Sequence, residues 1–270
     1  MRPVHFISGL PRSGSTLLAA LLRQNPRFHA HMSGPLAGMV DAMLGEMSGR
    51  SEFSVFITDE QRQRVLRGLF ASYYGAEFAT DVIFDTSRTW CSKLPVLSEL
   101  FPDFKIIACV RNLSWIVDSL ERAVQKNALS PSFMFNFQTA GTVYNRTEGI
   151  ASGDGILGHS FNGLKEAFYG EHARHLMLLQ YETLARDPAR AMSAVYDFIG
   201  MPLYQHDFEN VQFDVSQFDA HTGMPGLHAV GRKVAAPERK TVLPPDIFRR
   251  FENEAFWLNR QANIRGVRVV

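Results

Sequence analysis

The sequence predicts a single α/β domain, a P-loop-like parallel sheet of about five strands with helices on both faces. Three observations predict it. Short apolar runs at residues 4–7, 82–84, 106–110 and 176–180 alternate with longer stretches of helical spacing, the pattern of strand–helix–strand units. The run IIACV at 106–110 is apolar at every position, as a strand covered on both faces requires. The first run empties into a glycine loop, Gly9-Leu10-Pro11-Arg12-Ser13-Gly14-Ser15-Thr16, and an apolar helical stretch to Leu22 follows.

A strand, a glycine loop and a helix in that order build a phosphate cradle, because the glycines turn N–H groups inward and the helix start adds partial positive charge. The spacing fits the frame G-x-x-x-x-G-K-[ST] except that Ser15 stands in the lysine's place. That lysine serves the β- and γ-phosphates, so a nucleoside triphosphatase is disfavoured. Arg12 is the loop's own cation, and its planar fork suits the oxygens of a single phosphate or its leaving oxygen.

Asn25-Pro26 closes the first helix, and residues 28–32 read as a strand carrying His29 and His31. Helical patterns follow at 36–47 and 59–78, the second with Arg62, Arg64 and Arg67 on a solvated face. Asp85-Thr86-Ser87-Arg88 leaves the strand at 82–84, where open α/β sheets place their chemistry, and a helix over 90–101 stops at Pro102. Arg111 sits at the exit of the strand at 106–110, and Ser114 is placed to cap a helix that carries Ser119.

Residues 126–158 are poorly periodic, with Phe133, Phe135, Phe137 and Tyr144, and read as a substrate-covering loop with some helix near 138–148. Residues 202–244 are irregular, and a last helix runs from 245 to about 259. His206, His221 and His228 mix there with Asp207, Asp214 and Asp219, at spacings that fit no recognised metal site.

Composition narrows the function classes. A formal net charge of +1 gives no footprint for nucleic acid. Cys91 and Cys109 fit neither a zinc pattern nor a disulfide framework. No run approaches the ~18 apolar residues of a membrane span, and the N-terminus does not read as a signal peptide, so a cytoplasmic protein is expected.

The string GLPRSGSTLL resembles the 5′-phosphosulfate loop of sulfotransferases that use 3′-phosphoadenosine 5′-phosphosulfate (PAPS), especially the PRSG[ST]T form of protein-tyrosine sulfotransferases and their bacterial relatives. Arg111 and Ser119 are similar to the R-(x)7-S pattern that binds the 3′-phosphate in that family, and LMLLQYETLARDPARAMSAVYDFIGMP is similar to its strand, YExL turn and following helix. The resemblance spans about residues 4–201. It implies PAPS as co-substrate, no metal, and transfer of a sulfuryl group to a hydroxyl or amine of a small molecule or peptide.

Carried over residue by residue, the resemblance assigns nucleotide binding to Pro11, Arg12, Ser13, Gly14, Ser15, Thr16, Arg111 and Ser119. Tyr181 then lies against the adenine or in the core, and Arg232-Lys233 stands for the family's basic C-terminal segment or is a solvated cluster. The sequence departs from its nearest relatives at the base: the tyrosine sulfotransferases' glutamate falls near Ser33, where no acid lies. Asp85 is the expected base, with Arg88 as second cation and His31 as runner-up. Two alternatives stay open. A degenerate P-loop phosphotransferase needs a lysine from elsewhere and an acid beside Thr16, and a non-catalytic nucleotide-binding protein keeps the cradle alone.

Overall fold

A computed structural model describes residues 3–75, 80–129, 141–221, 225–236 and 238–270. Six strands form one sheet: β1 (Val4–Gly9), β2 (Phe28–Ala30), β3 (Val82–Thr86), β4 (Ile106–Val110), β5 (Leu176–Gln180) and β6 (Arg268–Val269). Their order is β2-β3-β1-β4-β5-β6 and every pairing is parallel. All strands therefore end on one edge, and the chain reverses direction across the sheet beside β1, where such folds hold ligands.

Alternation along the strands explains the two covered faces. Phe6, Ile83, Ile106, Ala108 and Leu178 face one side, with α2 (Leu36–Glu46), α3 (Asp59–Tyr74), α4 (Leu94–Leu100), α5 (Leu113–Lys126) and α7 (Ile156–Tyr169). Ile7, Phe84, Ile107, Cys109 and Met177 face the other, with α1 (Ser15–Leu22), α8 (Tyr181–Arg186) and α9 (Pro188–Ile199). Phe6 anchors the first side among the rings of Phe70, Trp90, Phe101 and Phe104. α6 (Val143–Ala151) adds Ile150 and α11 (Pro245–Glu252) adds Ile247 and Phe251 to the first side, and α10 (Ser216–His221) contributes to neither.

Several elements differ from their sequence reading. β6 is a two-residue edge strand, too short to carry a periodic signal. Asn112, not Ser114, caps α5 by accepting from the Ser114 N–H at 3.0 Å, while the buried Ser114 hydroxyl donates to the Phe248 carbonyl at 2.6 Å. The last helix ends at Glu252 and continues only as single turns. β2 stops at Ala30, leaving His31 beyond it.

Within 126–158, α6 is pinned by Arg146, whose Nε and Nη2 donate to the two Glu121 oxygens at 2.9 and 2.6 Å. Phe133, Phe135 and Phe137 lie outside the described residues. The segment 202–244 is irregular apart from α10, and the Val211 and Val234 N–H groups tie it to itself by donating to the Arg232 and Phe208 carbonyls. A buried carboxylate holds its far end: Asp118 accepts from the Thr241 hydroxyl at 2.9 Å and the Val242 N–H at 2.8 Å.

Gly9 closes β1 at φ 109°, and a Cβ there would stand 2.1 Å from the Cys109 carbonyl oxygen. Only glycine lets the two central strands approach where the phosphate loop begins. Gly9→Ala is expected to cost about 3 kcal/mol or more, from strain and overlap together, read as a lowered urea midpoint.

Candidate active site

The loop after β1 is wound by three residues in the left-handed region, Gly9, Arg12 (φ 58°) and Gly14 (φ 96°). An arginine at positive φ is strained by roughly 1–3 kcal/mol, a cost that surrounding contacts must offset. No side chain caps α1, so its first N–H groups open into a cavity of about 690 Å³ lined by Pro11, Arg12, Gly14, Ser15 and Thr16. Ser13 is different. Its fully buried hydroxyl faces the Leu10 and Cys109 carbonyls, so it ties the loop to β4 and forms no part of the cavity wall.

Arg12 is the hub. Its Nε donates to the Ser119 hydroxyl at 3.0 Å and its Nη1 donates to the Leu227 carbonyl, joining the loop to α5 and to the C-terminal segment. Burial, and then the charge of Arg111, lower its pKa to about 10. Arg111 leaves β4 and packs its guanidinium 4.1 Å from the centre of the Tyr181 ring. Its Nη1 donates to the Arg12 carbonyl at 3.3 Å, and its buried Nε has no hydrogen-bond partner, with a Glu182 oxygen 4.0 Å away. Arg111, Ser119 and Tyr181 thus line one cavity, with Tyr181 at its wall and Ser119 held by Arg12.

The exit of β3 supplies another wall, from Thr86, Ser87, Arg88 and Thr89. Asp85 is not in it. Its buried carboxylate accepts from the Tyr74 hydroxyl and from Trp90 Nε1 at 2.7 Å, and burial pushes its pKa up. The sequence placed this acid at a productive strand end, but the pleat turns it beneath the sheet edge. His31 also stays off the wall, exposed and edge-on to His29 at 4.5 Å, although Met32 and Ser33 next to it contribute.

The C-terminal basic pair is only partly at the site. Arg232 turns to Asn210, donating to Oδ1 at 2.8 Å, and Lys233 lines the cavity while its ammonium pairs with Glu209 at 2.7 Å. Sequence reasoning missed the cation this segment does deliver, Arg239, which pairs with Asp118 at 3.2 Å and lies over the Trp115 ring. An adjoining cavity of about 440 Å³ shares Arg12, Ser119 and Arg239 and adds Arg122 and Lys126.

Also missed was the pair formed by His228, on the turn that folds over the loop, and Asp219, on α10. His228 lines the cavity and its Nδ1 lies 2.6 Å from Asp219. Both residues stood out in the sequence only as possible metal ligands, and nothing in their spacing shows them as a pair. Among the described residues no cluster of three or more metal-ligating side chains occurs, and no helix is long and apolar enough to cross a membrane.

A parallel sheet with a lysine-free glycine loop, an uncapped helix start and several guanidinium groups around one cavity defines a P-loop-like protein whose cavity suits a multiply charged anion. Residues 3–206 match the family described as "Sulfotransferase family", and the chain belongs to it. Its activity is therefore sulfuryl transfer.

Among solved structures, the sulfotransferase domain from the curacin biosynthetic pathway is 17% identical, with a TM-score of 0.55 over 94% of this chain and 97% of that one. A sulfotransferase from Alicyclobacillus acidocaldarius is 15% identical, with a TM-score of 0.50 over 82% and 92%. These likenesses concern the fold. Comparison with curated proteins gives no match.

Asp85 generates a test of its own. Its folded pKa lies above the usual 3.8, so it contributes stability while protonated and loses that contribution as pH rises through the folded value. Asp85→Asn lacks this loss. In urea titrations upward from pH 4 the variant is expected to gain on the wild type until Asp85 has ionised in the folded protein.

Proposed function

We propose that the sulfuryl donor is PAPS and that it lies across the C-terminal edge of the sheet, its 3′-phosphate at Arg111, Ser119 and Arg239 and its sulfuryl end toward the exit of β3. The observation that supports this reading most is the arginine cluster. After burial, the charges of Arg111 and Arg239 lower the pKa of Arg12 and the charge of Arg239 lowers that of Arg111, and Arg111 keeps a buried N–H without an acceptor, an arrangement that a phosphate would relieve. Adjacent strands lie about 4.8 Å apart, so loops from neighbouring β1 and β4 can hold two phosphates of one nucleotide.

The residues divide accordingly. The N–H groups at the start of α1 and the Ser15 and Thr16 hydroxyls hold the 5′-phosphate and meet the negative charge that grows on its bridging oxygen as sulfur departs. Arg12 balances charge between the two phosphates. Its grip on Ser119 and Leu227 directs it away from the leaving oxygen, the place its position in the loop suggested. Arg88, at the β3 exit, is the cation on the sulfuryl side. Tyr181, stacked on Arg111, offers its outer face to the base.

The acceptor is a hydroxyl or amine on a small molecule or peptide that enters between the β3 exit and the covering segment. The whole described chain works as one domain in this reading, with 202–244 as its cover. The buried thiols of Cys91 and Cys109 fit a reducing compartment, and a cytoplasmic setting is proposed on that basis.

Two measurements test the donor. Desulfated nucleotide, 3′-phosphoadenosine 5′-phosphate (PAP), is expected to raise the melting temperature without magnesium and by more than ATP with magnesium does. A larger ATP response would point to the phosphotransferase. Arg111→Ala is expected to weaken PAP roughly 10- to 100-fold by calorimetry, the loss of one or two charge-assisted bonds, and to leave adenosine 5′-phosphosulfate much less affected.

A further inference from the structure

Resting on the sulfuryl-transfer reading of this cavity, we propose that His228, held by Asp219, is the base that takes the proton from the attacking acceptor. The residue lies on the covering segment, away from both strand-borne groups that the sequence offered for this role.

Geometry carries the assignment. Asp219 is buried, with 2% of its side chain exposed, and grips His228 at two points: one carboxylate oxygen accepts from the backbone N–H at 2.9 Å and the other lies 2.6 Å from Nδ1. A carboxylate at Nδ1 fixes the proton there and leaves Nε2 with its lone pair free to accept. This is the logic by which a buried acid orients an imidazole in hydrolases. The preceding carbonyl, of Leu227, accepts from Arg12, so the ring is anchored on one side by α10 and on the other by the phosphate loop.

Position agrees with this. His228 lines the cavity, and the charged groups that face it are Asp219 from α10, Arg12 from the phosphate loop and Arg88 from the β3 exit. It therefore stands on the sulfuryl side of the loop. Among the described residues of the cavity wall it is the one imidazole, and that wall holds no carboxylate. Burial, with help from Arg12 and Arg88, keeps the ring below its ordinary pKa of 6.5 against the opposing pull of Asp219, so it is neutral and ready to accept a proton at neutral pH.

The step balances. As the acceptor oxygen bonds to sulfur, its proton passes to Nε2 of His228. The bond from sulfur to the 5′-phosphate oxygen breaks, and its electron pair stays on that oxygen. Asp219, a positioning residue, stabilises the imidazolium until it returns the proton to solvent. The same hydrogen bond between Arg12 and Leu227 links the base to the nucleotide seat.

The test uses [35S]PAPS with water as the acceptor, followed as release of labelled sulfate, together with PAP binding by calorimetry. His228→Ala and His228→Gln are expected to lower release about 100-fold or more, with PAP affinity within about threefold of wild type. Added imidazole should restore release to the alanine variant and not to the glutamine variant, whose side chain fills the space. Asp219→Asn should lower kcat with KM little changed, and wild-type release should rise with pH through an apparent pKa below 6.5.

Wild-type release no faster than that of His228→Ala, or loss of PAP binding in both histidine variants alone, overturns the base. Failure of wild type and variants alike to bind PAP brings down the donor reading itself, a distinguishable result.

Discussion

One buried guanidinium holds the site together. Arg12 sits at positive φ in the phosphate loop and spends two of its donors on Ser119 of α5 and on the Leu227 carbonyl of the covering segment. Taking a charge out of water costs several kcal/mol, and among the described residues no carboxylate forms an ion pair with it. The cost is met by hydrogen bonds to neutral oxygens and by the distant field of Asp219. Remove that side chain and the loop, α5 and the cover lose a point at which all three meet.

The loop after β1 and the exit of β4 were legible in the sequence because local rules govern them. A glycine loop between a strand and a helix, and an arginine at the exit of a fully apolar strand, have few structural meanings, and Arg111 and Ser119 reach the cavity as their spacing implied. Asp85 shows where local rules fail. Period-two alternation puts it on the face of Ile83, toward α3, but no pattern in the letters announces that Tyr74 and Trp90 wait there to bind it.

His228, Asp219 and Arg239 were illegible for a different reason. They belong to a segment with almost no periodic structure, whose path is set by contacts across more than a hundred residues: Leu227 with Arg12, Thr241 and Val242 with Asp118. Such contacts depend on the assembled fold. The same segment shows why the basic pair Arg232-Lys233 misled. Each has a polar partner within the segment itself, at Asn210 and Glu209, while the less conspicuous Arg239 is aimed inward by a buried acid.

The strand order β2-β3-β1-β4-β5-β6 splits the cavity rim between two sides of the central strand. Arg111 and Tyr181 follow β4 and β5, Met32, Ser33, Ser87 and Arg88 follow β2 and β3, the loop after β1 lies between them, and the covering segment adds His228 and Arg239. Met32 and Ser33 are carried by a different crossover from Arg111 and Tyr181, although they line the same cavity. The sheet's share of the rim is thus modular in the engineer's sense, two sets of loops that meet only at the one after β1.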